Sequence, residues 1–404
     1  MHNPDETINW SEARAASAKD SLRKQVHMLK TGNQMADAAL PLDKSIYIND
    51  ARFEAEREHI FLSEPLVACL SGDIPNSGDT VLFDAAGPSI LVTRGKDGTA
   101  RAFLNMCTHR GAKLIEAAEP WSGKKKKITC PFHAWTFDNS GKLIGQPGKE
   151  GFENCSVGKR DLVEVPCAEH IGLVFVRANP EAEAFDPKEF LGEYADVLSL
   201  LELWRAEPVK KGTMHAESNW KFALDTYGES YHFGTLHKST IAKTNYSDKQ
   251  VFEGFGKHHR VNFPNFATGD LLDKDESDWP ETLYGGVHYL FPNTVIFFGA
   301  VADGVFFTQV FRLFPDGVGK TNCQFAVYAP FGVESDAHRE SCIAAYDATA
   351  TVVQDEDYRV ASHGYANLLS APKNHQVVLG ANELALQIVH QHIADTIGMP
   401  LDQR

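Results

Sequence analysis

Two short runs carry metal-ligating side chains in matched pairs: Cys107-Thr108-His109 and, further on, Cys130-Pro131-Phe132-His133. Each pair offers one thiolate and one neutral imidazole. A [2Fe–2S] cluster of mixed ligation needs this set, with two Cys sulfurs on one iron and two His nitrogens on the other; exchanging Cys for His lowers the negative charge on the cluster and raises its potential. A Cys2His2 zinc site accepts the same atoms, but zinc modules pair Cys with Cys and His with His, so zinc is the weaker reading. The bland alternative is four unrelated residues, since Cys often packs as a small hydrophobe. The surrounding runs Asn105-Met106-Cys107-Thr108-His109-Arg110-Gly111-Ala112 and Cys130-Pro131-Phe132-His133-Ala134-Trp135 argue against coincidence.

At these residues the chain resembles the α subunits of the Rieske non-heme iron oxygenases. The run Ser89 to Gly98 and then Ala102-Phe103-Leu104-Asn105 is similar to the strands leading into that family's first cluster loop, and Trp135 to Leu143 to the hairpin after its second. Two departures stand out: a longer gap between the pairs, filled by Lys124 to Lys127, and Ala134 where the family usually has Gly. Respiratory-complex Rieske proteins join their cluster loops by a disulfide. Here Ala112 and Phe132 occupy those positions, which leaves an oxygenase or ferredoxin type of cluster.

The resemblance extends to Asn219–His237, similar to the family's catalytic-iron segment, and implies that His232 and His237 are ligands. Their spacing is awkward for one helix face, and Gly234 suggests that the helix ends between them. An O2-activating mononuclear iron takes two His and one carboxylate on one face. Residues 341–369 read as a helix with a stripe at Tyr346, Ala350, Val353, Val360, Ala361, Gly364 and Leu368. Within Gln354-Asp355-Glu356-Asp357 only Asp357 falls on that stripe, where burial of a carboxylate is costly unless it is paired or metal-bound. It also sits where the family pattern places its ligand. Asp355 and Glu356 are expected to face solvent.

The family bridges its two iron sites with a carboxylate between subunits, and Glu229 occupies the matching position. Asp225, Glu229 and His232 would share one helical face. The match implies a ring of subunits, a homotrimer, with a β subunit optional. Glu stands here for the commoner Asp, as in some relatives acting on quaternary ammonium compounds. Elsewhere in a chain such a Glu would read as an ordinary surface residue.

These sites need elements to hold them. Residues 11–39 carry helix formers and form N-terminal helices on the catalytic domain, giving a first division at 1–44. Short strands and Gly/Asp turns mark 45–179 as an all-β Rieske domain, and Pro180 to Pro187 is the boundary. In 180–404 the segments Val287–Asn293, Thr294–Phe298, Phe306–Phe314 and Cys323–Tyr328 read as strands of one antiparallel sheet. Two long helices bearing the histidines and the carboxylate would cover it. The expectation is α+β, with the helix-grip catalytic domain that the resemblance implies. His258, His259 and His288 read as structural, and the phenylalanines between 252 and 307 as strand core with some lining a pocket.

With 404 residues the chain is long enough for two or three domains. Beyond the cluster pair, Cys69, Cys155, Cys167, Cys323 and Cys342 have no framework-like spacing and read as buried thiols of a reducing cytoplasm. No leader pattern opens the sequence and no apolar run approaches the length of a membrane span. A net charge of −15 disfavours nucleic acid. Lys124 to Lys127 read first as a solvated loop, second as a dock for an acidic electron-transfer partner. Together these imply the oxygenase component of a multicomponent system: electrons pass from NAD(P)H through a separate reductase, with or without a ferredoxin, to the cluster, across Glu229, and to Fe(II), where O2 is activated. The substrate expected first is an aromatic compound, as in aromatic hydrocarbon catabolism; the alternative is monooxygenation at an N-methyl or quaternary ammonium group. An electron carrier whose second domain has lost its iron is the reading from another class, opposed by His232, His237 and Asp357.

Overall fold

Alternating β-branched and aromatic residues in the second half build a seven-stranded antiparallel sheet. Its strands are β1 (Glu207–Ala216), β2 (Val251–Phe255), β3 (His258–Asn262), β4 (Gly286–Leu290), β5 (Thr294–Ala300), β6 (Phe306–Pro315) and β7 (Thr321–Ala329), in the spatial order β1-β7-β6-β5-β4-β3-β2. The register sets Phe311 opposite Phe325, and their rings stack at 4.4 Å with Tyr346 continuing the stack on Phe325. Such aromatic cross-strand pairs stabilise a sheet beyond the area they bury. This computed structural model describes residues 8–84, 87–117, 122–153, 158, 160–280, 285–300 and 305–401; Cys155 lies outside them.

Helices named in chain order are α1 (Trp10–Thr31), α2 (Asp50–Glu56), α3 (Trp220–Asp225), α4 (Asp336–Val352), α5 (Tyr358–Ser370) and α6 (Leu384–Ile397). A π-helical turn, Val353–Asp357, joins α4 to α5. Gly364 lets α5 come close to α3, since a Cβ there would stand 2.6 Å from the Phe222 ring. The N-terminal segment forms a single helix, α1, and then a short strand, Leu40–Asp43, paired with Gln376–Leu379. Leu22 and Val26 of α1 pack on Leu271, and Lys24 reaches Glu253 on β2 at 2.6 Å.

The cluster-bearing half is built from three antiparallel sheets. Five strands include Asp79–Phe83, Ile90–Arg94 and Ala100–Leu104; three-stranded sheets contain Leu66–Leu70 and Leu173–Val176, and Lys127–Thr129, Thr136–Asp138 and Leu143–Gly145. Arg94 of the first and Glu169 of the second form a largely buried ion pair. The helices between Ser45 and Phe61, grouped with this half on sequence, pack instead on α5 and α6. The buried Lys221 needs a carboxylate, and Glu56 of α2 supplies it at 2.5 Å while also accepting from Trp220 Nε1 at 2.8 Å.

Two expectations about helices are corrected. The histidine segment is not a long helix: α3 stops at Asp225, and the Glu229 carboxylate takes the backbone N–H groups of Tyr231 and His232, which turns the chain instead of continuing it. The stripe through the carboxylate helix also loses its regular phase at the π turn. After it the buried positions are Tyr358, Ala361, Tyr365 and Leu368, while Val360 is 43% exposed.

Candidate iron sites

The first cluster loop is tied by Gly111 N–H to the Cys107 carbonyl and by Cys107 N–H to Ala112, the second by Ala134 N–H to Cys130 and Cys130 N–H to Trp135. These tight turns point the cysteines inward and the histidines out. Cys107 and Cys130 are buried, His109 is half-buried and His133 exposed. The imidazoles lie 4.7 Å apart between ring centroids, and Trp135 stacks on His109 at 4.8 Å. Ala134 adopts φ 58°, the left-handed conformation that a Gly would take more readily. Lys124 to Lys127 are all exposed.

Both thiols are free. Burial first, and the adjacent Cys130, push the Cys107 thiol up. A protonated thiol pair beside two imidazoles gains little, whereas a cluster would take the sulfurs as thiolates and the rings as neutral donors. The donor set fits a Rieske cluster.

The second constellation gathers from two segments. His232 and His237 lie on the turns after α3, and Asp357 closes the π turn. His232 Nε2 lies 3.1 Å from His237 Nε2 and 3.6 Å from Asp357 Oδ1, and His237 Nε2 is 3.2 Å from the same oxygen. Three cis ligands at about 2.1 Å from one ion would stand about 3 Å apart. Asp357 Oδ1 is buried and accepts no well-formed hydrogen bond, the unsatisfied state that a metal would relieve. Among the described residues this is the one group of three or more His, Cys, Asp or Glu whose ligand atoms all lie within 4.8 Å of one another, as a single ion needs.

Each of these histidines has a carboxylate on its other nitrogen. Glu229 Oε1 meets His232 Nδ1, and Glu356 Oε2 meets His237 Nδ1 at 2.5 Å and accepts from Thr240 Oγ1 at 3.2 Å. Such contacts set the tautomer that turns Nε2 toward a metal. Burial pulls the His237 pKa down, but Asp357 and Glu356 outweigh it and the net shift is upward. Glu356 was expected to face solvent. The π turn widens the helix locally, so consecutive Glu356 and Asp357 both reach the histidine segment, which a 3.6-residue register does not allow.

Asp225 stands elsewhere. Its carboxylate accepts from Tyr47 OH at 2.8 Å and lies 3.0 Å from His390 Nε2, so the face shared by Asp225, Glu229 and His232 does not form. The cause is the end of α3 at Asp225 itself. Sequence reading also passed over Tyr227, which lines the cavity at the iron site and pairs its hydroxyl with that of Tyr358 at 2.8 Å.

That cavity measures about 760 Å³. Its walls include His232, His237 and Asp357, the rings of Tyr227, Phe233, Phe263, Phe297 and Phe311, and Gln25 of α1. His258, His259 and His288 lie outside it and are held by Phe190, Phe291 and Tyr194 or by ring stacking.

Residues 64–166 match the Rieske [2Fe-2S] domain family and residues 203–399 the family described as ring hydroxylating alpha subunit (catalytic domain). The chain is 34% identical over 193 residues to the carnitine monooxygenase oxygenase subunit of Escherichia coli K12, covering 47% of this chain and 50% of that one. It is 31% identical over 204 residues to the toluate 1,2-dioxygenase α subunit of Pseudomonas putida, covering 48% and 44%. Thus the chain spans about half the length of the curated relatives it matches. In fold it is similar to the quaternary ammonium Rieske monooxygenase CntA in complex with L-carnitine (TM-score 0.73, 23% identity, 89% of this chain and 96% of that one). It is also similar to naphthalene 1,2-dioxygenase from Rhodococcus sp. (TM-score 0.71, 18% identity, 93% and 97%). Among the described residues no helix is long and apolar enough to cross a membrane. With the Rieske family matched over residues 64–166 and the α-subunit catalytic family over 203–399, the chain belongs to the α subunits of the Rieske-type oxygenases.

Proposed function

We propose that the chain is the oxygenase component of a multicomponent monooxygenase that acts on an N-methyl or quaternary ammonium compound. The observation carrying this is the cavity at the His232, His237 and Asp357 ligand set: aromatic rings and the Glu229 carboxylate line it, and no lysine or arginine is among its described lining residues. Ring faces and carboxylates attract an onium group. Relatives named for carnitine and glycine betaine favour the same class. The aromatic substrate placed first on sequence becomes the second reading, favoured by the phenylalanine wall and the toluate relative.

Cys107, His109, Cys130 and His133 would hold the cluster, and His232, His237 and Asp357 the Fe(II). Iron at the second site would supply O2 activation, with electrons from NAD(P)H arriving through a reductase, with or without a ferredoxin. Tyr227 and Phe233 confine the substrate beside the ligand atoms; burial first, then Cys323, hold the Tyr227 pKa well above its usual range, so it stays a neutral hydroxyl. In the overall reaction one oxygen atom enters a methyl C–H bond and the other leaves as water, consuming two electrons and two protons. Loss of the hydroxymethyl carbon as formaldehyde leaves the amine. Glu229, on His232 Nδ1, is the relay from His133 of a neighbouring subunit in a homotrimer. Free thiols at all six described cysteines suit the cytoplasm. The working division is 1–44, 45–179 and 180–404, with the helices between Ser45 and Phe61 packed against the last of these.

The test is iron content with substrate-coupled turnover. Three irons per chain and formaldehyde release from a trimethylammonium compound are expected, with Glu229→Gln keeping all three irons but losing most turnover. Two irons per chain, or O2 uptake coupled only to aromatic compounds, would overturn the proposal.

A further inference from the structure

The cavity has a second end, away from the ligand atoms. Gln309 on β6 donates from Nε2 to Thr349 Oγ1 at 2.8 Å and lies against the Ala345 carbonyl at 3.4 Å. Thr349 stands eight residues before Asp357 on the same helical run, roughly 12 Å along it at 1.5 Å per residue. Asn262, at the end of β3, lines the same cavity three strands across the sheet from Gln309 and directs Nδ2 to Glu253 Oε2 at 3.5 Å. Both amides are almost fully buried, at 3% and 4% exposed. With both Nε2 hydrogens engaged, what Gln309 has left is a carbonyl oxygen, an acceptor, whereas Asn262 keeps one N–H. Arg260, two residues before Asn262, gives its Nε and its Nη2 to Glu253.

A carboxylate in such a place would be stripped of water with no lysine or arginine among the described lining residues to replace it, and would face the Gln309 carbonyl oxygen. Burying an unpaired charge costs far more than burying a hydrogen-bonding neutral group. We infer that the substrate ends, opposite the carbon that is oxidised, in an uncharged hydrogen-bond donor such as a hydroxyl or primary amide, and that Gln309 selects against carboxylates. This rests on the reading of the cavity as the substrate site, but holds for an onium or an aromatic head alike.

The experiment is equilibrium binding to the iron-loaded protein by calorimetry, with four probes in a two-by-two design: glycine betaine and its primary amide, and benzoate and benzamide. Acid and amide share shape and differ in charge, so this comparison tests the inference; onium and phenyl differ in the head, which tests the proposed substrate class. The amide is expected to bind at least tenfold more tightly than the acid within each pair that binds. Equal or tighter binding of the acid would overturn the inference. Tight benzamide with no binding by either betaine probe would sink the onium reading and leave the inference standing, whereas silence from all four would overturn both. Gln309→Lys, which brings a cation to this end, should shift the preference tenfold or more toward the acid of each pair; an unchanged preference in a folded variant would remove Gln309 from the selection.

Discussion

At Asp357 a single oxygen decides whether the third ligand is present. Its Oδ1 is buried, lacks a well-formed hydrogen bond and faces two imidazole nitrogens, so Asp357→Ala should cost one iron per chain while leaving the cluster spectrum intact. Glu356 acts one bond further out, through His237. Replacing it with Gln keeps the shape but weakens the hold on the ring, and metal affinity is expected to fall about 10–100-fold, as for other partners of ligating histidines. Asp355 is exposed, and Asp355→Ala should be nearly silent. Iron analysis together with Co(II) titration of the three variants measures this series; an Asp355 variant that loses metal while the Asp357 variant keeps it would reverse the assignment.

Between elements the strongest tie near the iron site is electrostatic. Lys221 on α3 and Glu56 on α2 are both essentially inaccessible, and burial is the main force pulling the Lys221 pKa down, opposed by Glu56. Truncating Glu56 to Ala would leave the ammonium and the Trp220 N–H without their shared acceptor. Loss of one member of a buried pair costs about 3–5 kcal/mol, so the urea midpoint should drop by a corresponding amount. A shift below about 1 kcal/mol would mean that Lys221 finds another partner or leaves the core. The helix that leads into the histidine turns is short, and this anchor with the close approach at Gly364 holds it in place.

Over the whole molecule, three buried histidines couple stability to pH. Burial first, then Lys257, brings His258 down to about 4; burial, then His258, takes His259 to about 3; burial, then Arg260, lowers His288 well below its usual value. In the unfolded chain each would titrate near 6.5. Below that pH the unfolded state binds more protons than the native one, so stability is complete above about 6.5 and falls as the pH drops toward 4. Glu169, held below its usual 4.5 against the pull of burial by Arg94 and Ser71, adds its share only at lower pH. Urea titrations at pH 7 and pH 5 should therefore give a lower midpoint at pH 5. A flat or rising profile over that range would mean that these rings are solvated in the native state.

The cluster pairs and the histidine pair were legible because their signal is local: ligand type, short spacing and turn-forming neighbours all sit within a few residues. The strands of the catalytic sheet were legible for a similar reason, since alternation is a property of consecutive positions. Asp357 stood out by register, because a carboxylate on a buried stripe needs a partner. What went astray depended on contacts between distant segments. Asp225 joins Tyr47 and His390 from opposite ends of the chain, and α2 belongs with α3 because a lysine 165 residues away needs its carboxylate. The π turn is the clearest case: helical periodicity assumes constant pitch, and one widened turn placed Glu356 on His237 and moved Val360 out to solvent. The cavity's ends were also beyond the sequence, for they arise where side chains from α1, β3, β6 and α4 converge, and only the packed chain brings those together.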